Sequence, residues 1–295
     1  MIIWRDTCPS TNSDPAVLDP EAPHGLVVAA REQTAGRGQR GNTWESGPGL
    51  NLSFSIVLRP AGIHPARQFC ISEAVALAVA ETVEEELCRN GVDDPVYVKW
   101  PNDIYVGDRK ICGILIENTI TGTHIDKSIV GIGLNVNQRE FLSDAPNPVS
   151  LIQLTARETP LDSLLDRLTA RLLTLAGGIP TWKGGIPSWK GGILPPLPHH
   201  GKAASCRRSP NPPTPPQITL STHDSYSPQI TNPLHQTYLS RLWRNDGALH
   251  RWRDPSTGEI IDASIVDVAP DGILTLRHAD TTLHPYAFKQ ITPLL

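Results

Sequence analysis

The first 140 residues alternate short apolar runs with glycine-rich and polar segments, which predicts a series of strands. Residues 25–30 are apolar with two β-branched valines, and residues 52–58 place their large apolar side chains on one face of a strand. Residues 111–116 and 129–136 are also apolar and predict buried strands. Residues 64–88 differ, because their apolar side chains recur every four positions and therefore predict one long helix.

The pattern changes in the second half of the chain. Residues 161–175 carry an apolar helical stripe, and another helix is predicted to start near Leu234. From Gly247 onward, strands joined by turns are predicted at residues 260–268, 273–277 and 282–288. About fifty residues with so few large apolar groups are marginal alone, so we expect this C-terminal β-domain to dock on the rest of the chain.

The stretch between these two helices has a composition of its own. GGIPTWK at residues 177–183 recurs as GGIPSWK at residues 184–190, and proline-rich sequence follows to about Pro233. A seven-residue period with proline and glycine suits neither helix nor strand, and it is too short for a solenoid repeat. We therefore expect residues 177–233 to be a disordered insert. The Trp-Lys pair within each repeat leaves a docking motif for a partner as the alternative.

Composition narrows the class of protein. A chain of 295 residues has room for about two domains. Its net charge of −4 argues against a protein that coats nucleic acid or an anionic membrane, and favours small molecules or another protein as partners. The five cysteines lack C-x-x-C spacing, which argues against a disulfide framework or a zinc site. No leader-like N-terminus and no run of ~18 apolar residues is found, so we expect a soluble, cytoplasmic protein.

A loop rich in glycine and arginine begins at Thr34 and runs into the strand at residues 52–58. Its glycines let backbone N–H groups approach a ligand closely, and Arg37 and Arg40 supply forked donors for phosphate or carboxylate. Residues 36–41 spell G-x-G-x-x-G, but no helix can follow them, which disfavours a dinucleotide-binding motif. The loop is predicted to cover an anion, and a mobile surface hairpin is the alternative.

A second informative stretch is VYVKWPNDIYVGDRKICGILIE at residues 96–117. It predicts a strand that ends at Lys99, a polar kink, and a hairpin that turns at residues 107–108. Lys99 is either an edge charge that discourages sheet pairing or a fixed positive charge for a carboxylate or phosphate. Asn102 and Asp103 either orient the turn or hold a metal.

Glycines interrupt two of the predicted buried strands. Gly113 lies in the first, and Gly131 and Gly133 alternate with apolar residues in the second, which ends near Asn135. Glycine within a strand marks a close approach of a ligand or of another backbone. Two such strands side by side favour a flat floor for an apolar ligand, with glycine-weakened packing as the alternative.

Small polar residues lie near the glycine-rich loop. Ser10, Thr11 and Asn12 come just before a predicted helix start that has Pro15 in its first turn. The strand at residues 25–30 delivers the chain to the mouth of the loop. Gln33 is therefore predicted to lie beside whatever the loop covers.

These residues together resemble the biotin protein ligases, also called biotin–[acetyl-CoA-carboxylase] ligases. Five motifs in the family's order and spacing carry the likeness: S-T-N, Q-T-A-G-R-G-Q-R-G-N-T-W, K-W-P-N-D-I-Y, R-K-I-C-G-I-L-I-E and G-I-G-L-N-V-N. The resemblance implies an α+β fold, with a class II aminoacyl-tRNA-synthetase-like catalytic domain of mixed sheet and helices and a small C-terminal SH3-like β-barrel. We expect the catalytic domain at residues 1–176 with its last helix at 234–246, the insert at 177–233 and the SH3-like domain at 247–295.

The resemblance also implies a reaction. Biotin and MgATP give biotinyl-5′-AMP and pyrophosphate, and a lysine of the biotin carboxyl carrier domain of a biotin-dependent carboxylase then takes the biotin. Biotin is the substrate, ATP the co-substrate and Mg²⁺ the cofactor. Some relatives begin with a helix-turn-helix domain, whereas this chain starts at the first motif, so we expect a ligase without nucleic-acid or membrane partners.

Site residues follow from the resemblance position by position. Lys99 and Arg37 are the expected catalytic residues. The expected biotin contacts are Ser10, Thr11, Asn12, Gln33, Gly36, Arg37, Gly38, Gln39, Lys99 and Gly113. The expected nucleotide contacts are Arg40, Trp44, Asn102 and Asn135, and no metal ligand is assigned. Gln39 departs from the family, because many members have arginine there, and Arg40 is the neighbouring cation that compensates.

Two other functions stay open. A lipoate or octanoate ligase or transferase of the same superfamily also uses a lysine that faces an acyl carboxylate, although the glycine-rich loop, S-T-N and K-W-P-N-D favour biotin. A biotin-binding protein without catalysis is the second alternative, which Gln39 and the insert leave open.

Overall fold

The structure is a computed structural model that describes residues 1–142, 147–179 and 232–294. A seven-stranded mixed sheet forms its larger part, in the order β1-β2-β3-β7-β6-β5-β4. The strands are β1 (Ile2–Cys8), β2 (Val27–Gln33), β3 (Leu52–Leu58), β4 (Val96–Lys99), β5 (Asp103–Val106), β6 (Arg109–Thr121) and β7 (His124–Leu134). β1 and β2 run parallel, and every other neighbouring pair is antiparallel. The expected α+β fold with a mixed sheet is confirmed.

Helices accompany this sheet on both sides. They are α1 (Pro15–Leu18), α2 (Phe69–Arg89), α3 (Leu151–Thr155), α4 (Leu161–Gly177) and α5 (Pro233–Ser240). The helix predicted from residue 64 begins later, at Phe69, because Pro65–Arg67 form a separate 3-10 turn capped by His64. α1 begins as predicted, with Pro15 in the first turn and the Asp14 carboxylate accepting a hydrogen bond from the Ala16 N–H.

The hydrophobic core lies between the sheet and the helices α2 and α4. Phe54 and Ile132, on β3 and β7, belong to the same buried cluster as the apolar side chains of α2 and α4. Ion pairs join the two helices at their outer edge, with Arg171 Nη2 lying 2.7 Å from Glu85 Oε2. Because side chains alternate along a strand, Ser53 and Ser55 of β3 point to the opposite face, which these helices leave uncovered.

Two predicted elements have different ends. β2 extends through Gln33, so Gln33 belongs to the strand rather than to the segment after it. The helix predicted at residues 234–246 ends at Ser240 instead. After it the chain pairs with the edge strand β4, since the Val98 N–H donates to Arg241 O at 2.8 Å and the Trp243 N–H donates to Val98 O at 2.9 Å.

The C-terminal residues form a separate antiparallel sheet in the order β11-β10-β9-β8-β12. Its strands are β8 (His250–Arg253), β9 (Ile260–Val268), β10 (Leu274–His278), β11 (Leu283–Tyr286) and β12 (Thr292–Pro293). The sequence predicted β9, β10 and β11 but not β8 or β12. Among residues 232–294, no strand pairing joins β11 to β12, so the sheet is open where an SH3-like barrel was expected.

The turn between β9 and β10 docks this sheet onto the larger domain. The Phe69 N–H donates to Pro270 O at 3.1 Å, and the Trp100 indole N–H donates to Gly272 O at 3.1 Å. Gly272 has φ of 95°, and a Cβ there would lie 2.8 Å from the Phe69 ring. Glycine therefore serves both the turn and the close approach. Trp100 also meets Phe288 edge to face, with ring centroids 6.2 Å apart.

The division of the chain at residues 176, 233 and 246 stays a prediction, because residues 180–231 of the insert lie outside the described residues. The same holds for the disorder predicted there. Within the described ranges, no helix is both long enough and apolar enough to cross a membrane.

Candidate functional site

The face of the mixed sheet that points away from α2 and α4 carries one row of site residues across five strands. The strand register places Lys99 opposite Asp103, Asp103 opposite Gly113, Gly113 opposite Gly133, and Gly133 opposite Ser53. Directly opposed residues of an antiparallel pair point to the same face. The row therefore brings the predicted cation of β4 and the predicted glycines of β6 and β7 to one surface.

The glycines of β6 and β7 form the floor of this surface, and their use as a floor for an apolar ligand stays a prediction. A Cβ at Gly133 would lie 2.3 Å from Trp44 Cε2, and one at Gly113 would lie 3.0 Å from Trp44 Cζ3. A Cβ at Gly131 would lie 2.2 Å from Asn12 Oδ1. Only glycine fits under the Trp44 ring and the Asn12 amide. The floor is thus covered by two of the predicted ligand-binding residues themselves.

Trp44 has an unusual polar group. Its indole N–H is buried and has no hydrogen-bond partner among the described residues. Leaving a buried donor unpaired costs about 1–3 kcal/mol, and such donors are rare in folded proteins. A ligand acceptor over the glycine floor would satisfy it.

The glycine-rich loop folds back on itself as a narrow hairpin. The Gly38 N–H donates to Asn42 O at 2.7 Å, and the Trp44 N–H donates to Gly36 O at 3.0 Å. Gln39 opens a 3-10 turn over Gln39–Gly41, in which Gly41 has φ of 84°. The Arg40 side chain lies outside the described residues.

Arg37 holds the loop against β6. Its guanidinium pairs with the Glu117 carboxylate, and Glu117 Oε2 also accepts a hydrogen bond from Asn12 Nδ2 at 2.8 Å. Glu117 lies on the same face of β6 as Gly113, four residues further along the strand. It therefore links the loop to the S-T-N segment, a role that the sequence did not indicate.

The S-T-N segment is buried next to Gln33. Ser10, Thr11 and Asn12 are each no more than 5% exposed. The Thr11 N–H donates to Gln33 Oε1 at 2.8 Å. Ser55 of β3 completes the cluster, because its Oγ lies 2.7 Å from Thr11 Oγ1 and donates to Asn12 Oδ1 at 2.5 Å. The alternation of β3 put Ser55 on this face but gave no sign of its partners.

Lys99 is half-buried at the end of β4, with its Nζ 5.1 Å from the centroid of the Tyr105 ring. Burial lowers the pKa of this ammonium, and the nearby charges of Lys110 and Arg244 lower it further, while Asp103 acts in the opposite direction. Two neighbouring cations with one carboxylate make this end of the row electropositive. An anion bound there would favour the charged form of Lys99.

The two predicted asparagine contacts to the nucleotide are engaged with the backbone. Asn102 Nδ2 donates to Ile114 O at 2.8 Å, and Asn135 Nδ2 donates to Val149 O at 3.0 Å. Asn135 is buried, and its Oδ1 has no hydrogen-bond partner among the described residues. Both side chains therefore fix strand ends near the site, and their contacts to a nucleotide stay predictions.

The described residues contain no cluster of three or more histidine, cysteine or acidic side chains that could hold a metal ion. The acidic groups on the site face are Asp103 and Glu117, and each is already paired with a cation, Lys110 or Arg37. This donor set does not build a protein cage for Mg²⁺. Mg²⁺ at nucleotide sites is usually held by one or two carboxylates together with the phosphates, so Asp103 or Glu117 would have to leave its cation to take part.

Comparisons with known proteins agree with this arrangement. Residues 5–135 match the sequence profile of the Biotin/lipoate A/B protein ligase family. The bifunctional ligase/repressor of Bacillus subtilis is 35% identical over 139 residues, which are 47% of this chain and 41% of that protein. The biotin–[acetyl-CoA-carboxylase] ligase of Paracoccus denitrificans is 38% identical over 128 residues, 43% of this chain and 51% of that protein. The chain thus aligns with about half the length of these relatives.

A solved structure extends the likeness to the whole fold. The biotin protein ligase from Aquifex aeolicus, in complex with biotin and ATP, superposes with a TM-score of 0.66 over 99% of this chain and 98% of that chain. The identity is 20%, so this likeness shows the fold alone. It covers the mixed sheet and the C-terminal sheet together.

Proposed function

Residues 5–135 match the Biotin/lipoate A/B protein ligase family, and on that premise we propose that the chain activates biotin with ATP and transfers it to a protein lysine. The acceptor is the biotin carboxyl carrier domain of a biotin-dependent carboxylase. The relative from Paracoccus denitrificans, named as a ligase of acetyl-CoA carboxylase, supports this choice of partner. Residues 1–176 and 234–246 would form the catalytic domain, residues 247–295 the C-terminal domain, and residues 177–233 an insert without a part in the reaction.

The observation that carries the proposal is the order of groups across the sheet. A buried polar cluster, Thr11, Asn12 and Ser55, lies at one end, the glycine floor lies in the middle, and the Lys99 ammonium lies at the other end. Biotin has the same order, with a ureido group, an apolar ring and chain, and a carboxylate. Hydroxyl and amide groups can both donate to and accept from a ureido group, and the glycines let the Trp44 ring lie close to the sheet, where it would pack against the apolar part of biotin.

The first step joins two anions. A biotin carboxylate oxygen attacks the α-phosphorus of ATP, the bond from that phosphorus to its bridging oxygen breaks, and pyrophosphate leaves with the electron pair. Repulsion between carboxylate and phosphate opposes this approach, and negative charge develops on the phosphoryl oxygens. Lys99 would contact both anions, and Arg37, through its ion pair with Glu117, would hold the glycine-rich loop over the site.

The second step needs no nucleophile from the enzyme. The amine of the carrier lysine attacks the acyl carbon of biotinyl-5′-AMP, AMP leaves, and the amine loses a proton as the amide forms. The enzyme's task before that step is to keep water away from the mixed anhydride. The loop closed by the Gly38–Asn42 and Trp44–Gly36 hydrogen bonds lies over the floor where such an adenylate would be bound.

ATP–pyrophosphate exchange tests the first step, with biotin, lipoate and octanoate offered in parallel. We expect exchange with biotin and little with the other two acids. The intact mass of a carrier domain incubated with enzyme, ATP and biotin tests the second step, and we expect the gain of one biotinyl group. Exchange that depends on lipoate or octanoate would indicate a lipoate or octanoate ligase instead. Biotin binding without exchange would indicate a biotin-binding protein without catalysis.

A further inference from the structure

Lys110 lies on β6 next to the site, although strand alternation alone would place it on the other face. Gly113 lies on the site face of β6. In a regular strand Ile111, two residues away, would lie on the same face, and Lys110 would point into the core. The register instead passes from Ile104 opposite Cys112 to Tyr105 opposite Lys110, with a bulge at this step. Ile111 and Cys112 are both fully buried as a result. The bulge turns Lys110 to the site face.

β-bulges commonly re-aim a side chain next to a functional site. Here the backbone of the re-aimed residue is also fixed from the neighbouring segment. The Lys110 N–H donates to Asn147 O at 2.8 Å, and the Val149 N–H donates to Lys110 O at 2.9 Å. The position of Lys110 is therefore set by the fold on both sides of its main chain.

The Lys110 ammonium is placed among the groups of the site. Its Nζ lies 2.7 Å from Asp103 Oδ1 and 5.6 Å from the centroid of the Trp44 ring. Its Cε lies 3.5 Å from the point that a Cβ on Gly113 would occupy. It is only 30% exposed, so the ammonium is partly removed from water. Its charge also contributes to lowering the pKa of Lys99 after the larger effect of burial.

Strand β6 shows which end of a ligand Lys110 would meet. Asn12 donates to Glu117 on this strand, which marks the end of the site occupied by the buried polar cluster. Gly113 follows in the middle, under Trp44, and Lys110 lies at the opposite end. If the ureido group of biotin lies at the Glu117 end, the carboxylate and the phosphates lie toward Lys110.

We propose that Lys110 is a second cationic contact of the site, which binds a phosphoryl oxygen of the nucleoside triphosphate while Lys99 faces the carboxylate and the α-phosphate. This inference rests on the proposed function. Asp103 holds Lys110 in place and balances one of the two ammonium charges, so the pair of lysines keeps a net charge of +1 for the anions. Lys110 exchanges no proton in the step. It neutralises charge that moves to pyrophosphate as the bond to the α-phosphorus breaks.

The plain alternative is that Lys110 only stabilises the hairpin through its ion pair with Asp103. A partly exposed pair of this kind contributes about 0–1 kcal/mol, and its loss would change stability slightly and substrate constants not at all. The two readings therefore separate in the kinetics. A structural role changes the melting temperature alone, and a phosphate contact changes the KM for ATP without changing the KM for biotin.

The test uses the full chain with Lys110→Gln, Lys110→Arg and the matched control Arg109→Gln, which removes an exposed cation one residue away. Biotin-dependent ATP–pyrophosphate exchange is measured over a range of each substrate. We expect Lys110→Gln to raise the KM for ATP about 10–100-fold and to leave the KM for biotin within about twofold, because a charge-assisted contact to phosphate is lost. Lys110→Arg should recover most of the loss, and Arg109→Gln should behave as the wild type.

Calorimetric titration with α,β-methylene-ATP gives a readout that does not need turnover. Weaker binding by Lys110→Gln than by Arg109→Gln supports the proposal, even if the protein fails to exchange pyrophosphate with biotin. Equal binding and an unchanged KM for ATP would overturn it, while wild-type exchange with biotin would leave the proposed function intact. Absence of exchange by the wild type counts against the proposed function instead.

Discussion

His235 joins the two domains through two carboxylates, and we expect this contact to make their stability depend on pH. Its Nδ1 lies 2.7 Å from Glu73 Oε1 on α2, and its Nε2 lies 3.0 Å from Asp267 Oδ1 on β9. Both ring nitrogens donate only when the imidazole is protonated. Burial lowers the pKa of His235, but the hydrogen bonds with Asp267 and Glu73 outweigh it and raise the pKa to about 9.

The magnitude follows from the shift of the pKa above its ordinary value of 6.5. Each unit of pKa corresponds to 1.36 kcal/mol, so the contact contributes about 3 kcal/mol at most to the folded state. The folded pKa is the higher one, so this contribution is fully present below about pH 6.5 and is lost as the pH rises through about 9. It is a large part of the roughly 5–15 kcal/mol that holds a typical protein folded.

Urea denaturation at about pH 6 and about pH 10 measures the effect, with wild type and His235→Gln compared at each pH so that other titrating groups cancel. We expect the difference in unfolding free energy between the two proteins to be larger at the lower pH, by at most about 3 kcal/mol. His250→Gln is the matched control, because His250 meets a single carboxylate, Asp246, at 2.8 Å. A difference that is the same at both pH values would refute the reasoning.

Three further changes test the rest of the site and the insert. Lys99→Ala should reduce biotin-dependent pyrophosphate exchange by about 10²–10³ while the melting temperature stays close to that of the wild type, and near-normal exchange at saturating substrates would contradict its role. Arg37→Ala removes the ion pair with Glu117 and should release free biotinyl-adenylate faster, which chromatography of the reaction would show. An unchanged rate of release would mean that Arg37 does not hold the glycine-rich loop over the adenylate. Replacing residues 180–231 by a short Gly/Ser linker should leave biotin transfer intact, since each doubling of loop length costs only about 0.6 kcal/mol, and loss of transfer by a folded variant would make the Trp-Lys repeats a docking element.

The sequence predictions that the structure confirms rest on patterns within single segments of the chain. The strand at Leu52–Leu58 and the bounds of Ile260–Val268 could be read directly, because successive side chains of a strand point to opposite faces. Gly131 and Gly133 marked places of close approach, because glycine in a strand often does so, and the structure shows Asn12 and Trp44 there.

The features that the sequence did not reveal depend on pairing between distant segments. Lys110 reads as a core-facing position until the bulge in its strand is known. The sequence does not distinguish whether Asn102 and Asn135 contact a ligand or the backbone, because asparagine amides bond readily to nearby backbone groups. The contact of His235 with Glu73 and Asp267 forms only when the two domains dock, so the sequence around His235 does not reveal it.

The pairing of Val98 with residues 241–243 has a consequence for synthesis of the protein. β4 is the edge of the mixed sheet, and the segment that covers this edge is made long after it, beyond the proline-rich stretch. Until that segment leaves the ribosome, the unpaired backbone of β4 can accept a strand from another nascent chain. The backbone of the strand that carries Lys99 is therefore open to pairing with another chain until synthesis is nearly complete.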